Sequence, residues 1–399
     1  LSPDRCDRRL GRGYARHAHV DELAAALLES AQYNSLAAVQ ALPAYRAKQA
    51  SIEQVLGFRD EGSFAEKPAR AKPAYRFVAW NLERGIELDG QIDAFQTHPY
   101  LREADVILVT EADLGMARSG NRAVAQTLAQ ALGFHYVFAT CYWNLAKGAG
   151  IEHDSEGENL TGLLGNAILS RYPIRRVRPV HLVNGKDKMS TREKRLGCET
   201  AIVAEIDFPG FAVETASIHL DAHSAQRHRH DQMKDVLHRV RAGLPAVIGG
   251  DWNTTTYNSS RAVHSILGFW FRLFLGIDNV IRNHYLRPYN RFERDLFDLL
   301  ERQGFDYKAC NQLDGYTASY DINDPKDLKN LREWIPAWCI PFIEWALSSY
   351  DGKCPFKIDW FAARGVETRD PVVLHEFRER RERPLSDHDP IGVEVLAPA

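Results

Sequence analysis

Apolar positions along the chain gather into short runs of period two, or unbroken runs, separated by polar turns, and such runs predict β-strands. They are YRFVAW (75–80), DVILVT (105–110), HYVFAT (135–140), NAILS (166–170), TAIVAEI (200–206), FAVETASI (211–218), PAVIGG (245–250), KIDWFAA (357–363) and IGVEVL (391–396). Between several of them the period becomes helical, as in AVAQTLAQALG (123–133) and RHDQMKDVLHRVRAG (229–243). Strands interleaved with amphipathic helices predict the α/β class, with sheets covered by helices. Residues 20–56 read as helix, since Val20, Leu23, Ala24, Leu27 and Leu28 fall at helical spacing and Ser35 is placed to cap a second segment. The stretch 57–75 mixes Gly, Pro and charge without an apolar period and reads as a linker. The expected division is therefore a helical extension and linker over 1–73 and a main domain over 74–399. Within that domain, residues 255–350 break the rhythm, hold Trp270, Trp334, Trp338 and Trp345, and read as a helical, aromatic insertion.

Composition narrows the class. Hydrophobic residues make up 45% and charged residues 26%, which suits a globular chain able to bury a core. A net charge of -3 supplies no global field toward nucleic acid, so any polyanion site must be local. The cysteines at 6, 141, 198, 310, 339 and 354 form no CxxC pair, which predicts reduced, structural thiols. The most apolar stretch, HSILGFWFRLFLGI (264–277), carries Arg272 and falls short of the roughly 20 residues needed to span a bilayer, so no transmembrane segment is expected. The chain begins at Leu1 with an Arg-rich run that leaves a leader open; a cytoplasmic location is the expectation.

Polar residues recur at the ends of the apolar runs. Asn81 follows VAW, Glu111 follows DVILVT, Asp251 and Asn253 follow PAVIGG, His219 opens HLDAHS after FAVETASI, and SDHDP (386–390) precedes IGVEVL. One such residue is as easily a turn former. Five in series describe side chains delivered by rigid strands to one edge of a sheet. Together WNLERG (80–85), TEAD (110–113), GNAILSRYPI (165–174), the His219 run, GDWN (250–253), IDWF (358–361) and SDHDP give the chain a resemblance to a known superfamily. It resembles the endonuclease/exonuclease/phosphatase superfamily, metal-dependent phosphoesterases that include deoxyribonuclease I, abasic-site endonucleases, neutral sphingomyelinases and inositol-polyphosphate 5-phosphatases. The matches run in family order from Tyr75 to Val395. The resemblance implies a four-layer α/β sandwich of two packed mixed sheets, with the site at one end of them.

It also implies a chemistry: in-line attack of water on phosphorus, assisted by a divalent cation, Mg²⁺ with Mn²⁺ as a substitute. By resemblance, Glu111 is the metal ligand, Asn81 lies beside the cation or holds the Glu111 carboxylate, and Asp387 binds a second or alternative ion. His388 is the candidate general base, oriented by Asp359, while Asp251 and Asn253 contact the attacking water and the phosphoryl oxygens; whether His388 or Asp251 is the base stays open. His219 would stabilise the phosphorane or protonate the leaving oxygen. Asn166 resembles a position near the phosphate, and Arg118 and Arg122 of RSGNR are candidate phosphate donors ahead of a helix N-terminus.

Two features bear on the substrate. From Leu169 to Arg195 nine basic residues stand against two acids, a local balance of +7 and a candidate path for nucleic acid. The insertion, with GFWFRLFLGI and EWIPAWCIPFIEW, instead offers side chains for a lipid interface and peripheral membrane contact. The expected function is a phosphodiesterase, with nucleic acid ranked ahead of a lipid or small phosphoester. The alternative of another class is a catalytically silent module of the same fold that binds a phosphorylated ligand.

Overall fold

The structure is a computed structural model and describes residues 23, 29–66, 69–255, 257–258, 262–324, 328, 337–379 and 383–397. An eight-stranded mixed sheet takes β1 (Arg59–Ser63), β2 (Ala74–Arg84), β3 (Val106–Leu114), β4 (His135–Asn144), β5 (Leu163–Ser170), β7 (Arg195–Gly197), β14 (Thr368–Val373) and β15 (Ile391–Leu396). Their order is β1-β4-β5-β3-β2-β15-β14, with β7 on β4. A five-stranded mixed sheet, ordered β13-β10-β9-β8-β6, takes β6 (Ile174–Leu182), β8 (Glu199–Phe208), β9 (Phe211–His219), β10 (Ala246–Asp251) and β13 (Asp359–Arg364). A short ribbon pairs β11 (Ala318–Asp321) with β12 (Lys353–Phe356).

Alternation along each strand builds the layers. In β2, Tyr75, Phe77 and Ala79 face the second sheet, where they meet Ile202, Ala204 and Ile206 of β8, Val247 of β10 and Phe361 of β13. The opposite residues, Val78, Trp80 and Leu82, face outward under helices 88–97, 124–132 and 43–56. On the second sheet, Ala246, Ile248 and Trp360 face outward under helices 226–237 and 294–302. Because both faces of the central strands are buried, their sequences are nearly all apolar. Helix, sheet, sheet and helix make the four layers that the resemblance implied.

The strand runs read from the sequence all fall on strands of the two sheets, with starts one or two residues early at Asp105, Pro245 and Lys357. Others carry no apolar signature. β1 lies in the stretch read as linker, yet it pairs antiparallel with β4 from Arg59↔Ala139 to Ser63↔His135. It is an exposed edge strand held by its backbone, so RDEGS has no face to bury. The segment before it breaks at Ser35, whose side chain accepts from Ala38 N and caps helix 36–41, and again at Pro43, which opens helix 43–56. Of the helix expected over 20–28, all but Leu23 lies outside the described residues.

The basic stretch also needs correcting. Much of it is β6, and its arginines pair across the strands, Arg175 with Asp207, Arg176 with Glu205 and Arg178 with Glu214, the last two carboxylates being shared with Arg241. Lys188 is buried against Asp221, Arg195 pairs with Glu193, Arg171 donates to the carbonyls of Arg102 and Ala104, and Lys194 is taken up by Tyr33 O and Asn34. A one-dimensional count sees the cations and misses acids brought in from other strands, so the strip is less positive than its count.

Within residues 255–350, Leu296, Phe297, Leu300, Phe305 and Tyr307 belong to the outer core beneath β10 and β13. The remainder has its own small core of Val280, Ile281, Tyr285 and Leu347. Among the described residues no helix is long and apolar enough to cross a membrane. The described cysteines, 141, 198, 310, 339 and 354, are all free.

Candidate active site

Strand register assembles the site. β10 runs between β9 and β13, and its last residue, Asp251, lies opposite His219 on one side and Asp359 on the other. Gly250 lets those strands close: at φ 132 a Cβ there would come within 2.2 Å of Ile218 O. Beyond the strand, Asn253 takes a left-handed φ of 51, its backbone N–H donates to Asp251 Oδ1 at 2.9 Å, and its side-chain amide donates to Leu220 O at 2.9 Å. This turn points the Asp251 carboxylate into the opening.

A bulge places the second group of residues. β2 and β3 pair in register to Asn81↔Thr110 and resume only at Arg84↔Ala112, while β3 and β5 skip between Val109↔Ala167 and Ala112↔Gly165. Glu111 is thus thrown out of the ladder, at φ 53, and its N–H is taken up by Asn166 Oδ1 at 3.3 Å. Bulges re-aim side chains in this way. Asn81, buried at the end of β2, donates to Asp251 Oδ2 at 3.3 Å and accepts from Glu83 N at 3.0 Å.

Two imidazoles converge on Asp251, each backed by a carboxylate. His388 Nδ1 pairs with Asp359 Oδ2 at 2.9 Å, and its Nε2 lies 3.8 Å from Asp251 Oδ2. Its backbone is fixed by Trp80 Nε1, which donates to His388 O at 2.9 Å, and by Ser386, whose hydroxyl accepts from His388 N and donates to Asn81 O. His219 Nε2 lies 3.4 Å from Asp251 Oδ2 and 3.9 Å from Glu111 Oε1, with Glu199 Oε2 3.5 Å behind its Nδ1.

Electrostatics follow from that geometry. Burial alone would lower the His219 pKa, but Glu199, Asp251 and Glu111 outweigh it and bring it up to about 10. His388 is likewise raised well above the ordinary histidine value, burial being overcome by Asp359 and Asp251. For Glu111, burial would raise the carboxyl, yet Arg84, His219 and His388 together hold it down to about 2. Asp251 is also held below the usual carboxylate range, against burial, by His388 and His219. Two imidazolium donors therefore face two ionised carboxylates.

The donor set suits a hard divalent cation. Glu111 is ionised and partly open to solvent, with a side-chain exposure of 18%, and the neutral Asn81 amide adjoins it. Asp251, Asp359 and His388 also bring ligand atoms within 4.8 Å of one another. Asp359 and His388 Nδ1 are already spent on each other, so a cation fits the Glu111 and Asn81 side without breaking that pair.

Not every candidate from the sequence reaches the opening. Arg118 is committed inward: its side chain is 1% exposed, bidentate to Asp113, and paired with Glu152 and Glu193. Arg122 pairs with Asp89 at 2.6 Å and donates to Ser119 O. Internal acids have thus claimed the Arg118 guanidinium, which corrects its reading as a phosphate donor, whereas Arg122 is paired at the surface with the exposed carboxylate of Asp89. Asn166 spends both ends of its amide, on Glu111 N and on Thr200 O, and so shapes the bulge. Asp387 is exposed beside His388, its N–H donating to Glu83 Oε2 at 3.1 Å. Sequence reading missed Glu199, Glu152 and Arg84. Arg84 stood in the WNLERG run, whereas Glu199 and Glu152 carry no local signal.

A four-layer sandwich with carboxylates and histidines gathered at its strand ends belongs to the metal-dependent phosphoesterase class of folds. The chain belongs to the endonuclease/exonuclease/phosphatase family, whose sequence profile matches residues 78–388. Members of this family are metal-dependent hydrolytic phosphoesterases or nucleases. Similar solved structures include an endonuclease/exonuclease/phosphatase from Beutenbergia cavernae DSM 12333, 15% identical over 82% of this chain and 72% of that one, with a TM-score of 0.45. The human Nocturnin catalytic domain with bound sulfate is 14% identical, covering 84% and 97%, at a TM-score of 0.44. The 3′ phosphatase NExo from Neisseria, bound to a product DNA hairpin, is 16% identical, covering 81% and 99%, at a TM-score of 0.44. No curated protein sequence matches the chain at a significant level.

Proposed function

We propose that this chain is a Mg²⁺-dependent phosphodiesterase that cleaves its substrate by in-line attack of water. The observation that carries this reading is the Asp251 carboxylate set between two carboxylate-backed imidazoles, 3.4 and 3.8 Å away. A cation held by Glu111 and Asn81, with Asp387 available to a second ion, would supply charge neutralisation at the phosphoryl oxygens. The protein's own groups divide the remaining work. Asp251, kept ionised, accepts the proton of the attacking water, and Asn253 fixes the turn that aims it. His388 and His219, kept protonated, donate to the phosphoryl and leaving oxygens, where negative charge grows in the transition state. Asp359 and Glu199 hold the two rings in place.

The test is hydrolysis of bis-p-nitrophenyl phosphate and p-nitrophenyl phosphate with Mg²⁺, Mn²⁺ or EDTA. Asp251→Asn and His388→Ala are each expected to lose about 10²–10⁴-fold in kcat. A wild type that turns over neither ester with either metal would refute the reading and favour a silent phospholigand module.

With much of the basic stretch engaged by other strands, the feature that ranked nucleic acid first is weaker than its sequence count. A lipid phosphodiester is favoured by a specific observation. Helix 262–275 exposes Val263, Leu267, Phe271 and Phe274, and Trp338, Phe342 and Trp345 are exposed beside it. Trp270 joins the two, with ring centroids 6.0 Å from Trp338 and 5.6 Å from Phe342. Arg272 turns under the helix to Tyr285, so the exposed face stays apolar, and this segment leaves the site directly after GDWN. Such a face suits the headgroup boundary of a bilayer.

A further inference from the structure

Arg84 closes β2 at the rim of the site, and nothing in the mechanism above uses it. It sits in the left-handed region at φ 67, next to Glu83 at φ 46, a conformation that glycine adopts freely and an L side chain adopts at a cost. The bulge between Asn81 and Arg84 turns this side chain toward Glu111.

Its guanidinium is gripped from one side. Nη1 lies 2.8 Å from Glu152 Oε1, and Nε lies 3.6 Å from Glu111 Oε2, without a hydrogen-bond partner. Glu152 is itself anchored, since its other oxygen accepts from Arg118 Nη1 at 2.9 Å, and Arg118 is locked by Asp113 and Glu193. Arg84 therefore stands between the candidate metal ligand and a buried scaffold, with 23% of its side chain exposed. Glu152 takes Nη1 and Nε is buried beside Glu111, which leaves Nη2 for another acceptor. A guanidinium held in this way presents a fixed, permanently charged donor to a phosphoryl oxygen, as a flexible ammonium would not.

We propose that Arg84 binds the non-bridging oxygens of the substrate phosphate, with Glu152 and Arg118 as its positioning residues. The proposal rests on the phosphoesterase reading for its substrate class. It also gives the loop that carries Glu152 a part in the site, because displacing Glu152 would release the guanidinium.

Calorimetric titration of inorganic phosphate into the full chain, with MgCl₂ and with EDTA, separates this proposal from the function itself. Arg84→Met is expected to weaken phosphate binding by about tenfold or more, the scale of a lost charge-assisted contact. Arg84→Lys should keep part of the affinity, and Glu152→Gln should raise KM for bis-p-nitrophenyl phosphate more than it lowers kcat. Arg84→Gly, whose backbone accepts the left-handed turn without strain, should regain turnover when millimolar guanidinium is added. If wild type hydrolyses no ester but binds phosphate through Arg84, the catalytic reading falls and this one stands. Wild-type protein that binds no phosphate, or a folded Arg84→Met that binds it as wild type does, overturns the proposal.

Discussion

Lys357 offers a sharp test of how the site is built, because a lysine ammonium is buried there without an acceptor. It is 0% exposed, its Nζ has no hydrogen-bond partner, and it lies over the Trp360 ring, 4.8 Å from the centroid. Burial drives its pKa from 10.5 down to about 8, with Asp359 pulling the other way. Below pH 8 both the folded and the unfolded chain hold the proton, and the fold carries the full cost of the buried charge. Between pH 8 and 10.5 the unfolded chain holds a proton that the folded chain has released, so stability rises with pH across that window. The gap corresponds to about 3 kcal/mol at pH 7. Replacing Lys357 with Met keeps the stem and removes the charge. The lost cation–π contact gives back about 0.5–2 kcal/mol, so the variant should gain about 1–2 kcal/mol at pH 7. Urea unfolding at several pH values between 6.5 and 10.5, beside Lys353→Met in the exposed part of β12, measures both the gain and the slope. A Lys357→Met protein less stable than wild type at pH 7, or one that keeps the alkaline rise, would refute the argument.

Two further outcomes follow from particular contacts. Gly250→Ala places a Cβ within 2.2 Å of Ile218 O at φ 132, which forces β9 and β10 apart. It should lose more than about 2 kcal/mol in urea unfolding and take diester turnover with it; an unchanged midpoint would contradict the register account. For the apolar face, Phe274→Ser combined with Trp345→Ser should abolish flotation with phosphatidylcholine/phosphatidylserine vesicles while leaving turnover of the soluble diester within about twofold. Equal flotation of the variant and wild type would remove the lipid reading.

The strands and the chemistry of their ends were legible because both are local. Alternation marked β2, β3, β8, β9, β10, β13 and β15, and the polar residue leaving each run pointed to Asn81, Glu111, His219, Asp251 and the SDHDP segment. An exposed edge strand such as β1 wrote no pattern, since the main-chain hydrogen bonds that pair it are blind to side-chain type.

Charge was the opposite case. In sequence Arg118 and the basic stretch look free, while in space Asp113, Glu152 and Glu193 enclose the first and Asp207, Glu205 and Glu214 pair with part of the second. Arg84 passed as part of a motif and became a candidate phosphate ligand only once a bulge turned it toward Glu111. The sequence by itself determined the residue types and the alternation, hence the α/β class, and its motifs carried the resemblance that implied the sandwich and the family. Tertiary structure decided which charges are spent and which remain for a ligand, because an ion pair depends on a distance of a few ångströms, and strand register sets that distance between residues far apart in the chain.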